Sequence, residues 1–169
     1  MRHWILSAAI GVAILSSSSG SASPVQGIVA GTYVLNEKLR DNALQAINSA
    51  VLSNANHPLA RNRLRKSIAV DRIRVSKSEN RFGIAYDAKT PIVVWIGEEP
   101  IKWKLAEGFV FDVSAKTNGD AVSLTFRGND SERTTTYRNV GQDLVDDTII
   151  TSPLLSKPIV YRQVFSRTN

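Results

Sequence analysis

Two pairs of adjacent carboxylates, Glu98-Glu99 and Asp146-Asp147, are the residues in this 169-residue chain that are best suited to chemistry. Two carboxyl groups can hydrolyse a glycosidic bond when both converge on it. Neighbouring residues of a strand point to opposite faces, so neither pair can converge by itself, and Glu98-Glu99 lies in a predicted turn. The sequence therefore predicts a protein that is not an enzyme and has no catalytic residues.

Histidine and cysteine are too scarce for most other catalytic or metal-binding sites. The chain has no cysteine and two histidines, His3 and His57. Thiol catalysis, disulfides and cysteine-ligated metals are thereby excluded, and a Ser-His-Asp group would rest on His57 alone. Because His57 precedes Pro58 in a predicted turn, we expect it to be a capping or surface residue. We expect neither a metal nor a cofactor.

Residues 1–22 have the composition of a secretion signal. Arg2 supplies the positive charge, residues 4–15 an apolar run, and residues 16–22 a small-residue tail suited to cleavage near Ala22. The apolar run would rise about 18 Å as a helix, short of the roughly 30 Å hydrocarbon core, which disfavours a membrane anchor. Cleavage leaves one domain, residues 23–169, whose formal charge falls from +6 to +5 with the loss of Arg2. We therefore expect a secreted or periplasmic protein.

Apolar residues recur at helical spacing between residues 37 and 68. Ala43, Ile47 and Ala50 lie three or four residues apart, and Asn36 stands at the position of an N-cap. Pro58 is suited to the first turn of a second helix that ends at about Ile68. The pattern predicts a pair of helices, over residues 37–55 and 58–68.

The rest of the chain alternates apolar and polar residues with the period of two that is typical of strands. Turn sequences such as Asn118-Gly119-Asp120 and Gly141-Gln142 separate the runs. One predicted strand precedes the helices and nine follow them, at residues 28–35, 72–76, 81–86, 91–97, 101–105, 108–114, 121–127, 133–138, 143–152 and 158–167. The predicted fold is mainly β: a closed up-and-down antiparallel barrel of about eight to ten strands, because closure removes exposed edges. The helix-turn-helix is a lid between the first two strands.

The order of these elements and the motifs at both ends resemble the calycin superfamily. The first strand carries Gly31-Thr32-Tyr33, and the last reads IVYRQVFSR from Ile159 to Arg167. The chain looks most like the fatty-acid-binding proteins, which begin with Gly-Thr-Trp and end with an Arg-Val-Tyr-x-Arg strand. Lipocalins share the barrel and the secretion signal but place a helix after the barrel. The resemblance implies that residues 23–169 form one calycin-like domain.

The resemblance also implies a small hydrophobic, lipid-like ligand inside the barrel. In the fatty-acid-binding group, a buried arginine and a terminal Arg-x-Tyr hold the ligand carboxylate. The matching positions of this chain are Tyr137, Gln163 and Phe165, so both cationic anchors are missing. Binding of an anionic fatty acid by that mechanism is therefore not expected.

The inner face of the barrel is the predicted binding site, because a barrel of this strand number has room for one small ligand. The alternative is that the same side chains fill the core of the barrel. In that case the protein is an extracytoplasmic scaffold, such as an inhibitor or envelope component, with functional loops at residues 97–100 and 152–157. The candidate ligand-binding residues are Tyr137, Tyr161, Gln163, Phe165, Phe126, Trp103 and Arg133.

Four cations, Arg61, Arg63, Arg65 and Lys66, lie within six residues of the second predicted helix. Near an anionic membrane each could contribute about 1 kcal/mol, enough to orient a transient contact with the surface. The alternative is a solvated helix face without a partner. We expect no nucleic-acid binding, because the other basic residues are spread along the chain and no recognition motif is present.

Overall fold

Ten strands and two helices make up the part of the chain that the computed structural model describes, residues 27–50, 57–87, 89–105 and 108–168. The predicted signal at residues 1–22 lies outside these ranges. The helices are α1 (Glu37–Ser49) and α2 (His57–Ile68). The strands are β1 (Gly31–Leu35), β2 (Arg72–Lys77), β3 (Arg81–Tyr86), β4 (Ile92–Trp95), β5 (Ile101–Lys104), β6 (Val110–Asn118), β7 (Ala121–Arg127), β8 (Glu132–Val140), β9 (Asp143–Thr151) and β10 (Ile159–Arg167).

All ten strands belong to one antiparallel sheet in the order β4-β3-β2-β1-β10-β9-β8-β7-β6-β5. Each strand therefore pairs with its neighbours in sequence except at β4 and β5, which form the two ends of the sheet, and β1 also pairs with the last strand, β10. Two-residue turns connect β6 to β7 and β8 to β9, with Gly119 and Gly141 at positive φ, 61° in both cases. This is the up-and-down topology that the alternating sequence predicts.

The barrel closes nearly completely at the two ends of the sheet, β4 and β5. Among the described residues these two strands form no ladder with each other. Instead Ile96, just after β4, makes a parallel bridge to Ala115 of β6. The Gly97 amide also donates to the Ala115 carbonyl at 2.9 Å. The predicted fold class, a β-barrel with a helix pair between the first two strands, is confirmed.

The first helix begins where the sequence predicts and ends earlier. The Asn36 side chain accepts from the Lys38 amide at 3.2 Å, as expected of an N-cap. At the other end Ala50 is extended, with φ −64° and ψ 130°, so the prediction that the helix continues through this residue is wrong. The remaining predicted helical residues, 51–55, lie outside the described ranges.

The core divides into two clusters along the axis of the barrel. The larger cluster lines the barrel with side chains from β1–β4 and β6–β10, among them Phe82, Tyr137 and Phe165. The smaller joins the helices to the strands at one end, where Ile47 of α1 and Ile68 of α2 pack with Tyr161 of β10. The helix pair thus covers one end of the barrel, which we call the helical end.

Candidate functional site

The register of β8, β9 and β10 arranges the buried side chains of their inner faces in four rows. Alternate residues of each strand face inward, so each row holds one side chain from each strand. From the helical end inward, the rows are Arg133–Ile150–Ile159, Thr135–Thr148–Tyr161, Tyr137–Asp146–Gln163 and Asn139–Leu144–Phe165. The two outermost rows are largely apolar except for Arg133 and Asn139, whereas the two middle rows are rich in polar groups.

A chain of hydrogen bonds joins the arginine and the aspartate inside the barrel. The Thr148 hydroxyl donates to Asp146 Oδ1 at 2.6 Å, which leaves its oxygen to accept from the Thr135 hydroxyl at 2.7 Å. Thr135 in turn accepts from Arg133 Nε at 3.1 Å. We call these four residues the interior polar chain. Every donor in it points from the cation toward the carboxyl group, so each bond polarises the next.

Burial and the nearby positive charge act in opposite directions on the pKa of Asp146, a residue that is only 2% exposed. Burial raises the pKa of Asp146 from 3.8 to about 6, against the lowering effects of the Arg133 charge and the Thr148 hydrogen bond. Burial alone would lower the pKa of Arg133, but the surrounding tyrosines and Asp146 raise it above the ordinary value. Above about pH 6, Asp146 therefore carries a negative charge inside the barrel, opposite in sign to that of Arg133.

Two tyrosines connect opposite walls of the barrel. The hydroxyl groups of Tyr86 on β3 and Tyr137 on β8 are 2.6 Å apart, although four strands separate β3 from β8 along the sheet. Phe82 of β3 adds a tilted ring contact to Tyr137, with centroids 5.9 Å apart. Burial raises the pKa of Tyr86 to about 12 and that of Tyr137 above its ordinary value, so both hydroxyls are neutral. We call this pair the tyrosine bridge; it crosses the barrel below the row of Thr135.

Aromatic side chains flank Arg133 at the helical end. Its guanidinium carbon lies 5.6 Å from the ring centroid of Phe126. Trp103 meets the same ring edge-on, with centroids 5.8 Å apart, and Phe111 lies 6.3 Å from Trp103. We call these three rings the aromatic band; the half-buried Trp103 lies in its middle, and Phe126 at one end contacts Arg133.

All seven residues predicted to bind a ligand lie on the inner faces of their strands. Tyr137 and Phe165 are fully buried, Tyr161, Gln163 and Phe126 are buried, and Trp103 and Arg133 are half-buried. Gln163 Nε2 donates to the Ile68 carbonyl of α2 at 3.5 Å. Ligand binding by these residues stays a prediction. Sequence reasoning missed four further polar residues of the interior: Tyr86, Thr135, Asp146 and Thr148.

The acidic pair Asp146-Asp147 is divided between the two faces of the sheet, as predicted. Asp146 is enclosed in the barrel. Asp147 lies on the outer face, where its carboxylate accepts from Arg162 Nε at 2.5 Å and lies 3.4 Å from Arg138 Nε. The two carboxyl groups therefore cannot act together on one bond.

Two of the four clustered cations stabilise the helix pair. Arg61 donates to the carbonyl oxygens of Asn48 and Ala50, the latter at 2.8 Å, and Arg65 donates to Asn48 Oδ1 at 2.7 and 3.0 Å. The last carbonyls of a helix lack partners within it and carry partial negative charge, and Arg61 supplies donors to them, whereas Arg65 holds the Asn48 side chain. The side chain of Arg63 is not among those described. Membrane contact through this cluster stays a prediction.

A groove of about 630 Å³ lies on the outer surface beside β1 and β2. Its lining consists of Thr32, Val34, Asp71, Arg72, Arg74 and Asp87. None of the seven predicted ligand-binding residues borders it. The groove is therefore separate from the interior polar chain.

The described residues contain no cluster of three or more histidine, cysteine or acidic side chains that could hold a metal ion. Within the described ranges, neither helix is long and apolar enough to cross a membrane.

The fold is that of several solved structures: a ten-stranded barrel with a helix pair between its first two strands. Similar solved structures are fatty-acid-binding proteins and a cellular retinol-binding protein. Human cRBP IV aligns over 84% of this chain and 99% of its own, with 14% identity and a TM-score of 0.54. Fatty-acid-binding protein 1 of Echinococcus granulosus aligns over 83% and 97%, with 10% identity and a TM-score of 0.53.

A third similar structure is the REP1-NXSQ fatty acid transporter, which aligns over 83% of this chain and 96% of its own. Its identity is 16% and its TM-score 0.52. No protein-family model and no curated protein sequence matches the chain. At identities this low, the likeness establishes the shared barrel fold alone.

Proposed function

We propose that this protein binds a small hydrophobic, lipid-like ligand inside the barrel, between the helix pair and the tyrosine bridge, and performs no chemistry on it. The observation that carries the proposal is the interior polar chain. Buried polar and charged groups reduce stability relative to apolar ones, so a barrel that served only as a scaffold would not need them. Arg133 and the aromatic band beside it offer a polar contact and an apolar surface at the same end of the barrel.

The absence of a reaction is supported by the arrangement of the acidic groups. Asp146 is the buried carboxyl group among the described residues, and its neighbour Asp147 faces away from it. Hydrolysis by paired carboxylates requires two such groups on one substrate bond. The likeness to fatty-acid-binding and retinol-binding structures supports a binding role as well.

The two tryptophans outside the predicted signal allow a direct test of binding in the barrel. Trp103 belongs to the interior aromatic band, whereas Trp95 is 45% exposed on the outside, beside Arg81. In Trp95→Phe the fluorescence should come from Trp103, and a brominated long-chain alcohol should quench it saturably, because bromine quenches only on contact. The matched variant Trp103→Phe, which keeps Trp95, should be quenched far less.

A second candidate function is the scaffold or interaction protein with a filled barrel. The specific observation in its favour is the contact between opposite walls, through Tyr86, Tyr137 and Phe82. The loops at residues 97–100 and 152–157 would then carry the function. Equal quenching of the two single-tryptophan variants, or quenching of neither, would contradict the binding proposal and support this one.

We also propose that the protein is exported, as a secreted or periplasmic protein, on the strength of Arg2, the apolar run and the small-residue tail. The mature protein isolated from its source should begin close to Ser23. Intact mass and N-terminal sequencing check this prediction. A chain that retains residues 1–22 and fractionates with the cytosol would contradict it.

A further inference from the structure

The interior of the barrel is balanced in charge. Arg133 and Asp146 are the charged side chains that the described strands bury or half-bury on their inner faces. The other acidic and basic residues of β6–β10 lie on the outer face or at the ends of strands, as in the pairs Lys102–Asp112 and Arg127–Glu132. At neutral pH, a ligand with a net charge would therefore introduce an uncompensated charge into a poorly solvated site.

The interior polar chain leaves hydrogen-bonding capacity for a ligand at both of its ends. Arg133 uses Nε toward Thr135, and Asp146 uses Oδ1 toward Thr148. Among the described residues, no further hydrogen bond is formed by the Arg133 Nη groups or by Asp146 Oδ2. A guanidinium can only donate, and an ionised carboxylate can only accept. A head group that can both donate and accept therefore satisfies both ends.

We propose that Arg133 and Asp146 make the barrel selective for a lipid with an uncharged, hydroxyl-bearing head, such as a long-chain alcohol, over the corresponding carboxylate or amine. This inference rests on the proposed function and names its ligand class. A carboxylate head would be attracted by Arg133 but repelled by Asp146, and it has no proton to donate. An ammonium head would be attracted by Asp146 but repelled by Arg133, and it cannot accept a hydrogen bond. The hydroxyl head adds no charge and can act in both roles.

Three buried side chains on the inner faces of β8 and β10 support the same preference. Tyr137, Gln163 and Phe165 are uncharged and buried. Tyr137 already bonds to Tyr86, and Gln163 bonds to the Ile68 carbonyl. Arg133 is the cation that the described strands half-bury on an inner face, and it lies four residues from Tyr137 along β8, closer to the helical end. A carboxylate would thus find one cation, and that cation is shared with an anion.

The test compares a long-chain alcohol, carboxylate and amine of one chain length at pH 7.5. Each competes with the brominated alcohol for quenching of Trp103 in Trp95→Phe protein. The alcohol should bind at least about tenfold more tightly than either charged ligand, because each charged head adds one uncompensated charge to the interior. Asp146→Asn leaves a net positive interior and should raise carboxylate affinity about tenfold. Arg133→Gln leaves a net negative interior and should raise the affinity for the amine about tenfold.

The outer face supplies a matched control for each variant. Asp147→Asn and Arg138→Gln make the same charge changes on the other side of the same two strands. They should leave the order of the three ligands unchanged. Equal affinity of the wild-type protein for alcohol and carboxylate would overturn the inference, as would an unchanged ratio in Asp146→Asn. Those results would leave the proposed function standing, whereas failure of all three ligands to bind would overturn both.

Discussion

Asp146→Asn is expected to be more stable than the wild-type protein at pH 7.5, by up to about 3 kcal/mol. The reason is the pKa of Asp146, which burial raises from 3.8 in the unfolded chain to about 6 in the folded one, despite the Arg133 charge and the Thr148 hydrogen bond. Asparagine is nearly isosteric, has no charge to desolvate, and keeps an oxygen that accepts from Thr148. The melting temperature should rise by about 5–10 °C.

The sign of the pH dependence makes this prediction specific. Between pH 3.8 and about 6 the folded state holds the proton of Asp146 more tightly than the unfolded state does. Stability from this group is therefore fully present below about pH 4 and is lost as the pH rises through about 6. The advantage of Asp146→Asn should accordingly be small at pH 4 and reach its full size above pH 6.

Urea unfolding of both proteins at pH 4 and pH 7.5 measures the difference. Asp147→Asn is the matched control, because it removes the same charge from the outer face. It should not be more stable than the wild type at pH 7.5, since it loses contacts with Arg162 and Arg138. An Asp146→Asn variant that is no more stable than the wild type at pH 7.5 would show that Arg133 compensates the buried charge fully.

A carboxyl group that lowers stability at neutral pH points to a role other than folding. Natural proteins tolerate locally unfavourable residues where function requires them. Asp146 fits that pattern, because Thr148 and Thr135 link it to Arg133 and the whole set is directed into the barrel. The same feature supports the binding proposal over the scaffold, whose core would be more stable with apolar residues at these positions.

The fold was predictable because it rests on local signals. Alternation with a period of two identifies a strand and its buried face from the sequence alone, and the run from Arg72 to Ser76 shows it clearly. The short turns at Gly119 and Gly141 favour pairing of β6 with β7 and of β8 with β9. Pairing of β1 with β10 follows from closure of the barrel.

Part of the site was predictable by the same means. The turn at Gly141-Gln142 pairs Val140 with Asp143, and counting outward from that pair places Asp146 opposite Tyr137. The same count places Thr148 opposite Thr135. The interior polar chain is therefore predictable from the sequence once Asp146 is considered apart from its neighbour Asp147.

The remaining contacts depend on distances that the pairing of neighbouring strands does not fix. The Tyr86–Tyr137 bond requires two opposite walls to approach each other, which depends on the flattening of the barrel rather than on any local pattern. The bonds from Arg61 and Arg65 to the end of α1 depend likewise on the angle between two helices. A charged cluster in a sequence does not reveal whether its partners are solvent, membrane or backbone carbonyls.

Phe82→Ala is expected to lower the free energy of unfolding by about 3–5 kcal/mol, the usual range for a phenylalanine removed from a packed core. Phe82 is fully buried on β3, and its ring contacts Tyr137 on the opposite wall. If the barrel is packed around Phe82 and Tyr137, the truncation leaves a cavity that the rigid sheet cannot close. In a barrel that is hollow at this level, the ring already borders open space, and the loss falls toward the transfer term of about 2 kcal/mol.

The loss of unfolding free energy in Phe82→Ala therefore distinguishes two arrangements. Either the ligand cavity ends at the tyrosine bridge, or it continues past the bridge toward the other end of the barrel. Val93→Ala on β4 is the control, because Val93 is 47% exposed on the outer face and its loss should stay within about 0.5 kcal/mol. Phe82→Leu supplies a milder second variant in case the alanine protein does not fold. Urea unfolding at pH 7.5, where Asp146 is ionised, measures all three. A loss near 2 kcal/mol in Phe82→Ala would contradict a barrel that is packed around Phe82. The ligand would then extend past the tyrosine bridge toward Phe165.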